Sequence, residues 1–170
     1  EKSLNDRELL ARAVRLRAIT QAAGALLFVN DRPDIARLCG ADGVHVGQTD
    51  LSVADVRRIA GPTVLVGKST HSAGEISAAI DETPDYIAVG PMFASATKPE
   101  VQVAGARLLA EAAGLSDLPI VAIGGITASN VSGLVCRSPF AVAVSHAVIS
   151  ASDAATAARE IRGAVTRDAK

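Results

Sequence analysis

Six short apolar runs, each followed by a polar or glycine-rich segment, constrain the fold of this chain more than any other feature of its sequence. The runs cover residues 26–29, 44–46, 64–66, 86–89, 120–123 and 141–144. Runs of this kind, separated by helical stretches, are typical of parallel strands buried on both faces. Ligands bind at the carboxyl ends of such strands, where loops and helix N-termini meet. The pattern therefore predicts an α/β fold with its functional residues at that edge.

Helices are indicated between the runs by apolar residues that recur every three to four positions. The first predicted helix covers 6–23 and is followed by Gly24, which suits the turn that ends a helix. The other predicted helices cover 33–38, 52–60, 72–80, 104–113, 127–135 and 152–165. Strand–helix alternation with right-handed crossovers predicts βα units arranged in a barrel or an open sheet.

The length of the chain limits which barrel it can form. Residues 1–170 are enough for one well-buried domain, and no low-complexity linker divides them. A closed (β/α)8 barrel of the TIM type has eight strands and typically about 250 residues, whereas six strands are recognisable here. We therefore expect a single (β/α)-barrel domain over 1–170 that lacks the first two strands, or a sheet that stays open.

Composition argues against several classes of function. The net charge is −1, and the chain has three Phe, one Tyr and no Trp, so a surface for nucleic acid is not expected. No apolar run approaches the roughly 18 residues of a membrane span, so we expect no membrane partner and a cytoplasmic location. Cys39 and Cys136 are far apart and are predicted to be reduced, buried thiols. The expected partners are small molecules.

Acidic side chains follow the first two predicted strands, in Asn30-Asp31 and at Asp50. Such oxygens suit Mg²⁺, which binds through one or two protein carboxylates together with waters and substrate phosphates. Each aspartate also has a simpler alternative, because Asp31 and Asp50 stand where they can cap the following helix. Their placement at neighbouring strand ends favours the metal site.

Two further segments are suited to phosphate. Ser95-Ala96-Thr97-Lys98 offers two hydroxyl donors and a cation on a long loop, although a solvated loop is the alternative. Gly124-Gly125-Ile126-Thr127 allows the backbone to approach a ligand closely, with N–H groups at a helix start that favour an anion. Ser145-His146 follows the last predicted strand. Together, the ends of the last two strands predict a second phosphate pocket.

The three histidines carry less information than these segments. His45 lies within a predicted strand and His71 near a strand end, so a structural or orienting role is favoured over metal ligation. His146 lies at the predicted phosphate pocket and is able to donate to an oxyanion. Of the neighbours Lys68 and Ser69, strand alternation places Ser69 better for contact with a ligand.

The residues around these strand ends closely resemble those of the thiamine phosphate synthase family. The resemblance is carried, in order and with the family's spacing, by VNDR (29–32), GADGVHVGQTD (40–50), STHS (69–72), GPMF (90–93), TKP (97–99) and AIGGI (122–126). It covers nearly the whole chain. It implies a (β/α) barrel and a Mg²⁺-dependent transferase of thiamine biosynthesis that joins a pyrimidine pyrophosphate to a thiazole phosphate, releasing pyrophosphate.

The resemblance also implies roles for individual residues. Asp31 and Asp50 would bind Mg²⁺. The residues implied for the pyrimidine pyrophosphate are Asn30, Ser69, Lys98 and Lys2, the last of which matches the end of a Gln-x-Arg-x-Lys motif. The residues implied for the thiazole phosphate are Ser95, Ala96, Thr97, Gly125, Ser145 and His146.

The implied chemistry is substitution at the pyrimidine methylene group. Lys98, Ser69 and Mg²⁺ would stabilise the departing pyrophosphate while the thiazole nitrogen attacks a carbocation-like carbon. Two positions differ from the family pattern: Ser95 stands where threonine is usual, and Ser145-His146 stands where valine or isoleucine precedes serine. Ser95 keeps the hydroxyl, whereas at Ser145-His146 we expect an altered contact to the thiazole phosphate.

Other functions remain open at this point. The related thiazole tautomerase has a histidine at the position of Pro91 and lacks the paired aspartates, so the synthase is favoured. A catalytically silent, truncated protein would still hold a phosphate ligand, or pair with another copy as a homo-oligomer to complete its sheet. Magnesium-dependent turnover separates that protein from both enzymes. A phosphate-binding barrel with another substrate is the remaining alternative.

Overall fold

The computed structural model describes residues 4–94, 103–134 and 140–167. The chain divides into two compact units. The first consists of Glu1–Ser69 and Asp81–Asp85, and the second of Thr70–Ile80 and Tyr86–Lys170. The expectation of a single domain over 1–170 stays a prediction.

Strands and helices alternate along the described part of the chain. The strands are β1 (Phe28–Asn30), β2 (Gly43–Val46), β3 (Leu65–Thr70), β4 (Tyr86–Val89), β5 (Ile120–Ile123) and β6 (Phe140–Ala143). The α-helices are α1 (Asp6–Ala22), α2 (Pro33–Cys39), α3 (Val53–Ala60), α4 (Ala73–Asp81), α5 (Gly105–Leu115), α6 (His146–Ile149) and α7 (Ala154–Arg167). The predicted strands are all present, so the expected α/β fold is confirmed. None of the helices in the described ranges is long and apolar enough to span a bilayer.

The first unit is built on parallel strands that follow chain order, β1, β2 and β3. Val44 pairs with Val66 across β2 and β3, and both side chains are buried in a cluster with Val53 and Val56 of α3. Burying one such side chain contributes roughly 1.5–3 kcal/mol, so the spacing of Val53 and Val56 holds α3 against this face. The helix begins where the Ser52 hydroxyl accepts from the Asp55 N–H at 3.1 Å.

Helix α1 begins with a reciprocal pair of bonds. The Asn5 side chain accepts from the Glu8 N–H at 3.0 Å, and the Glu8 carboxylate accepts from the Asn5 N–H at 3.2 Å. Ala13 packs with α2 residues, whereas Val14 and Ile19 are 50% and 64% exposed. The apolar stripe that predicted this helix is therefore only partly covered by the residues that the structure describes.

The second unit contains β4, β5 and β6, which are also parallel and in chain order. Ile87 of β4 pairs with Ile120 of β5, and both are buried with Leu109 of α5. Thr70, the last residue of β3, joins this unit: its hydroxyl donates to the Ala88 carbonyl at 3.1 Å, and its carbonyl accepts from the Gly90 N–H at 3.2 Å.

The helix predicted over 127–135 is wrong for its described part. A short 3₁₀ helix, Val131–Gly133, forms instead. The Asn130 side chain accepts from the Thr127 N–H at 2.8 Å and donates to the Gly125 carbonyl at 2.9 Å. Local side-chain bonds of this kind compete with helical backbone bonds, which is why the segment turns rather than continuing as an α-helix.

Candidate active site

Asn30 and Asp31 lie where β1 ends, and both are exposed. The Asp31 N–H donates to the His45 carbonyl at 2.9 Å, so bonding to β2 continues one residue beyond β1. Asp31 has a φ of 63°, a left-handed conformation that aspartate tolerates better than most residues. The N-cap position of α2 is Arg32, without a side-chain capping bond. Asp31 therefore stands one residue before the N-cap position of α2.

Arg32 fixes the chain beside Asp31 by bonds to two carboxylates. Its guanidinium contacts Asp34 at 2.7 Å and Asp6, at the start of α1, also at 2.7 Å. The hydrogen bond from Arg32 lowers the pKa of Asp34, and the same partners raise the pKa of Arg32 above its ordinary value. Arg32 thereby connects the start of α1 to the start of α2.

Asp50 lies on the loop after β2 and is also exposed. Its Oδ2 accepts from the Gly47 N–H at 2.7 Å, which closes the loop, and the cap of α3 is Ser52 rather than Asp50. The capping alternative for Asp50 is therefore wrong. Because β1 and β2 are parallel neighbours, their carboxyl ends carry Asp31 and Asp50 at the same edge of the first unit.

Ser69 lies near the end of β3, and its side chain contacts β2. Its Oγ lies 2.8 Å from Nε2 of His45, and the Gln48 amide donates to the Ser69 carbonyl. Burial lowers the pKa of His45, and the negative charge of Asp50 opposes this shift. Asn30, Asp31, Asp50 and Ser69 therefore all belong to the ends of the three strands of the first unit.

Lys68 occupies the opposite face of β3 from Ser69, because side chains alternate along a strand. It is only 4% exposed, and its Nζ lies 2.9 Å from Oε1 of Glu82. The other oxygen of Glu82 accepts from the Val53 N–H at 2.9 Å, at the start of α3. Burial raises the pKa of Glu82, but the bonds from Val53 and Lys68 outweigh burial and lower it below its ordinary value.

In the second unit, the glycine pair after β5 packs closely against the segment after β4. The Phe93 N–H donates to the Gly124 carbonyl at 3.0 Å. A Cβ on Gly125, whose φ is 66°, would lie 2.6 Å from the Phe93 carbonyl oxygen. Only glycine fits there without displacement of the backbone. The Thr127 N–H, however, donates to the Asn130 side chain, so this group is already occupied within the turn.

Ser145 and His146, which follow β6, are both exposed. Ser145 precedes α6, and its side chain makes no capping bond. The His146 Nδ1 lies 3.0 Å from the Ser150 hydroxyl. Gly125, Ser145 and His146 are therefore described at the ends of β5 and β6, which are paired neighbours in the second unit.

Several predicted site residues lie outside the described residues: Lys2, Ser95, Ala96, Thr97 and Lys98. Cys136 also lies outside them, whereas Cys39 is a buried free thiol. Within the described ranges, no group of three or more His, Cys, Asp or Glu side chains is placed to hold a metal ion.

Sequence reasoning missed three residues that support the site: Gln48, Glu82 and Asn130. Gln48 lies two residues before Asp50 on the same loop. Its place beside a predicted site residue is the signal that could have found it. Glu82 is distant in sequence from both Lys68 and Val53, so no local pattern indicates their contact. Asn130 stands three residues after Thr127, a spacing typical of a side chain that bonds back to the turn.

The fold and these strand ends define a protein of the parallel βα class, with acidic and hydroxyl side chains at one set of strand ends and a glycine-rich turn at another. The family model for thiamine monophosphate synthase matches residues 1–148. The chain belongs to this family, as its sequence motifs predicted.

Individual relatives agree with the family assignment. A thiamine-phosphate synthase of Methanoculleus marisnigri is 44% identical over 163 residues, which are 95% of this chain and 77% of the relative. One of a Synechococcus species is 41% identical, over 94% of this chain and 46% of the relative. The solved thiamine phosphate pyrophosphorylase of Pyrococcus furiosus has a TM-score of 0.91 and 31% identity, covering 100% of this chain and 82% of that one.

Proposed function

We propose that this chain joins a pyrimidine pyrophosphate to a thiazole phosphate, giving thiamine phosphate and pyrophosphate. The observation that carries the proposal is the pair Asp31 and Asp50, which follow neighbouring parallel strands and are both exposed. Two exposed carboxylates at neighbouring strand ends suit a cation that a phosphorylated substrate brings with it. Membership of the thiamine monophosphate synthase family supports the same reaction.

The donor set fits Mg²⁺ better than a metal held entirely by protein. Asp31 and Asp50 supply two hard carboxylates, and the described residues add no third acidic, histidine or cysteine ligand to them. Mg²⁺ typically takes one or two carboxylates and completes its coordination with waters and substrate phosphates. Bound there, Mg²⁺ would neutralise charge on the pyrophosphate.

The ends of β1 and β3 would supply part of the contacts to the pyrophosphate end of the pyrimidine substrate. Asn30 offers an amide donor, and Ser69 offers a hydroxyl on a strand that is fixed by bonds to its side chain and its carbonyl. From the family resemblance we assign further cationic contacts to Lys98 and Lys2. Donors that are already oriented stabilise developing charge on the leaving group without reorganisation during the reaction.

The second unit would bind the thiazole phosphate. Gly125 is assigned to this phosphate from the resemblance, and Ser145 and His146 offer a hydroxyl and an imidazole at the end of the neighbouring strand β6. Ser95, Ala96 and Thr97 are assigned to the same phosphate from the resemblance. Because Thr127 is bonded to Asn130, we assign it no phosphate contact.

The proposed step breaks the bond between the pyrimidine methylene carbon and the pyrophosphate oxygen. The electron pair of that bond leaves with pyrophosphate, and the thiazole nitrogen supplies the pair for the new carbon–nitrogen bond. No external oxidant, reductant or proton donor is required. Ser69, Asn30 and Lys98 would act on the leaving oxygens, where negative charge develops.

We also propose that the six strands belong to an eight-stranded (β/α) barrel and that the enzyme works in the cytoplasm. The alternation of parallel strands with helices supports the barrel. A homo-oligomer stays a proposal as well, and size measurement in solution tests it.

An assay for thiamine phosphate tests the proposed function. The purified chain is mixed with both substrates, with Mg²⁺ or with a chelator, and the product is separated by chromatography. We expect product only with Mg²⁺, and a loss of at least about 100-fold in turnover for Asp50→Asn. Asp117→Asn, the same change at an exposed aspartate of the second unit, is the control. Equal turnover with chelator would remove Mg²⁺ from the proposal.

A further inference from the structure

Ser69 is held by two side chains that come from the same short segment of the first unit. His45, in β2, reaches its hydroxyl at 2.8 Å. Gln48, on the loop after β2, donates to its carbonyl oxygen. Both the side chain and the backbone of Ser69 are therefore held in place. The proposed reaction assigns no substrate contact to His45 or Gln48.

The chemistry of the partners determines how the hydroxyl of Ser69 must be oriented. A serine hydroxyl has one proton to donate and two lone pairs that accept. Ionised phosphate oxygens only accept, so a hydroxyl that binds pyrophosphate must donate its proton to the ligand. Its contact with His45 must then be one in which Ser69 accepts and the imidazole donates.

We propose that His45 is a positioning residue whose Nε2–H donates to Ser69 Oγ and thereby directs the Ser69 hydroxyl proton toward a pyrophosphate oxygen. This inference rests on the proposed function, because it takes pyrophosphate as the ligand of Ser69. It assigns the Nε2-protonated form to the imidazole. The opposite arrangement, with Ser69 donating to His45, would turn the hydroxyl proton away from the ligand.

The position of His45 in the sheet suits this role. It is half-buried in the middle of β2, paired in register with Gly67 of β3, and its carbonyl accepts from the Asp31 N–H at 2.9 Å. Its backbone is therefore bonded on both sides by neighbouring chain segments. An imidazole on such a strand loses little further freedom when it bonds Ser69, so the orientation of the hydroxyl is set before a ligand arrives.

A double-substitution cycle tests the proposal. His45→Leu and Ser69→Ala are made singly and together, and kcat/KM is measured with both substrates. If His45 acts through Ser69, each single change lowers kcat/KM by about tenfold, and the double variant loses about tenfold rather than about 100-fold. The KM for thiazole phosphate should stay unchanged in all three variants. If the loss of kcat/KM in the double variant equals the two single losses multiplied together, about 100-fold, the proposal is overturned.

Two further variants separate positioning from a merely structural role. His45→Gln retains an amide donor that is able to reach Ser69 and should recover most of the activity lost in His45→Leu. Ser77→Ala, at an exposed serine of α4, is the matched control for the serine change. A folded His45→Gln protein that is no more active than His45→Leu would also overturn the proposal.

The same set of variants can be compared without turnover. The affinity of each variant for inorganic pyrophosphate in the presence of Mg²⁺ is measured by calorimetry. We expect each single variant to weaken this binding by about tenfold and the double variant to weaken it no further. If the wild-type chain binds pyrophosphate but forms no thiamine phosphate, the proposed function fails while the cycle still tests His45. If turnover is present and the cycle is additive, the inference about His45 fails alone.

Discussion

The Nζ of Lys68 lies 2.9 Å from Oε1 of Glu82, and the second oxygen of the same carboxylate accepts from the Val53 N–H. One acidic side chain thus neutralises a lysine that is only 4% exposed and also holds the first residue of α3. Helix α3 follows the loop that carries Asp50. Glu82 therefore connects β3 to the start of α3, the helix that follows the Asp50 loop.

The two partners of this ion pair should differ in their importance for stability. Glu82→Leu leaves a buried ammonium group without its charge partner, so we expect a loss of about 3 kcal/mol. Lys68→Met replaces the lysine by an apolar side chain and should cost about 1 kcal/mol, because Glu82 keeps its bond to Val53 and is partly exposed. Urea unfolding of both single variants and the double variant measures this. Equal losses for the two single variants would contradict the account.

The contribution of Glu82 should also depend on pH. The pKa of Glu82 is lower in the folded chain than its ordinary value of 4.5. Its contribution is therefore complete above about pH 4.5 and is lost as the pH falls through the folded-state pKa. The difference in free energy of unfolding between wild type and Glu82→Gln, measured by urea titration at a series of pH values, should shrink on acidification below that point. A difference that grows on acidification would contradict the sign.

Gly125→Ala should disturb the turn after β5. The added Cβ would lie 2.6 Å from the Phe93 carbonyl oxygen, at a φ of 66°, and the left-handed conformation itself costs roughly 1–2 kcal/mol. We expect a loss of about 2 kcal/mol or more in thermal unfolding and a higher KM for thiazole phosphate. Gly133→Ala, where a Cβ would meet no atom within 4 Å, is the control. Indistinguishable behaviour of the two variants would contradict the close packing.

Asn130 should stabilise the same turn through both ends of its amide. Asn130→Ala removes the acceptor for Thr127 and the donor for Gly125, so we expect a loss of about 2 kcal/mol. Asn130→Asp keeps the acceptor and should lose less. Thermal unfolding and the KM for thiazole phosphate report the effect, with Ser132→Ala, at an exposed position, as the reference. If Asn130→Asp is as damaging as Asn130→Ala, the Thr127 bond is not the important one.

The sequence predicted the strands and their polar ends well because both depend on local patterns. Apolar β-branched runs mark the strands, and Asp31 and Asp50 follow them directly. The end of β3 was harder to predict, because Lys68 and Thr70 are polar yet buried. Their partners, Glu82 and the Ala88 carbonyl, come from distant parts of the chain.

Helical patterns were less reliable than strand patterns. The segment after Gly125 resembles a capped helix in sequence, but the two side-chain bonds of Asn130 favour a turn. Helix α1 is present, yet Val14 and Ile19 of its apolar stripe are at least half exposed. Periodicity indicates that a helix has an apolar face and does not indicate what covers it.

The most direct test of the central claim is the joint quantification of thiamine phosphate and pyrophosphate from the wild-type chain with both substrates and Mg²⁺. The account predicts that the two products form in equal amounts, and that neither forms when the thiazole phosphate is omitted. Folded protein that forms no thiamine phosphate under these conditions, or that releases pyrophosphate from the pyrimidine substrate alone, would contradict it.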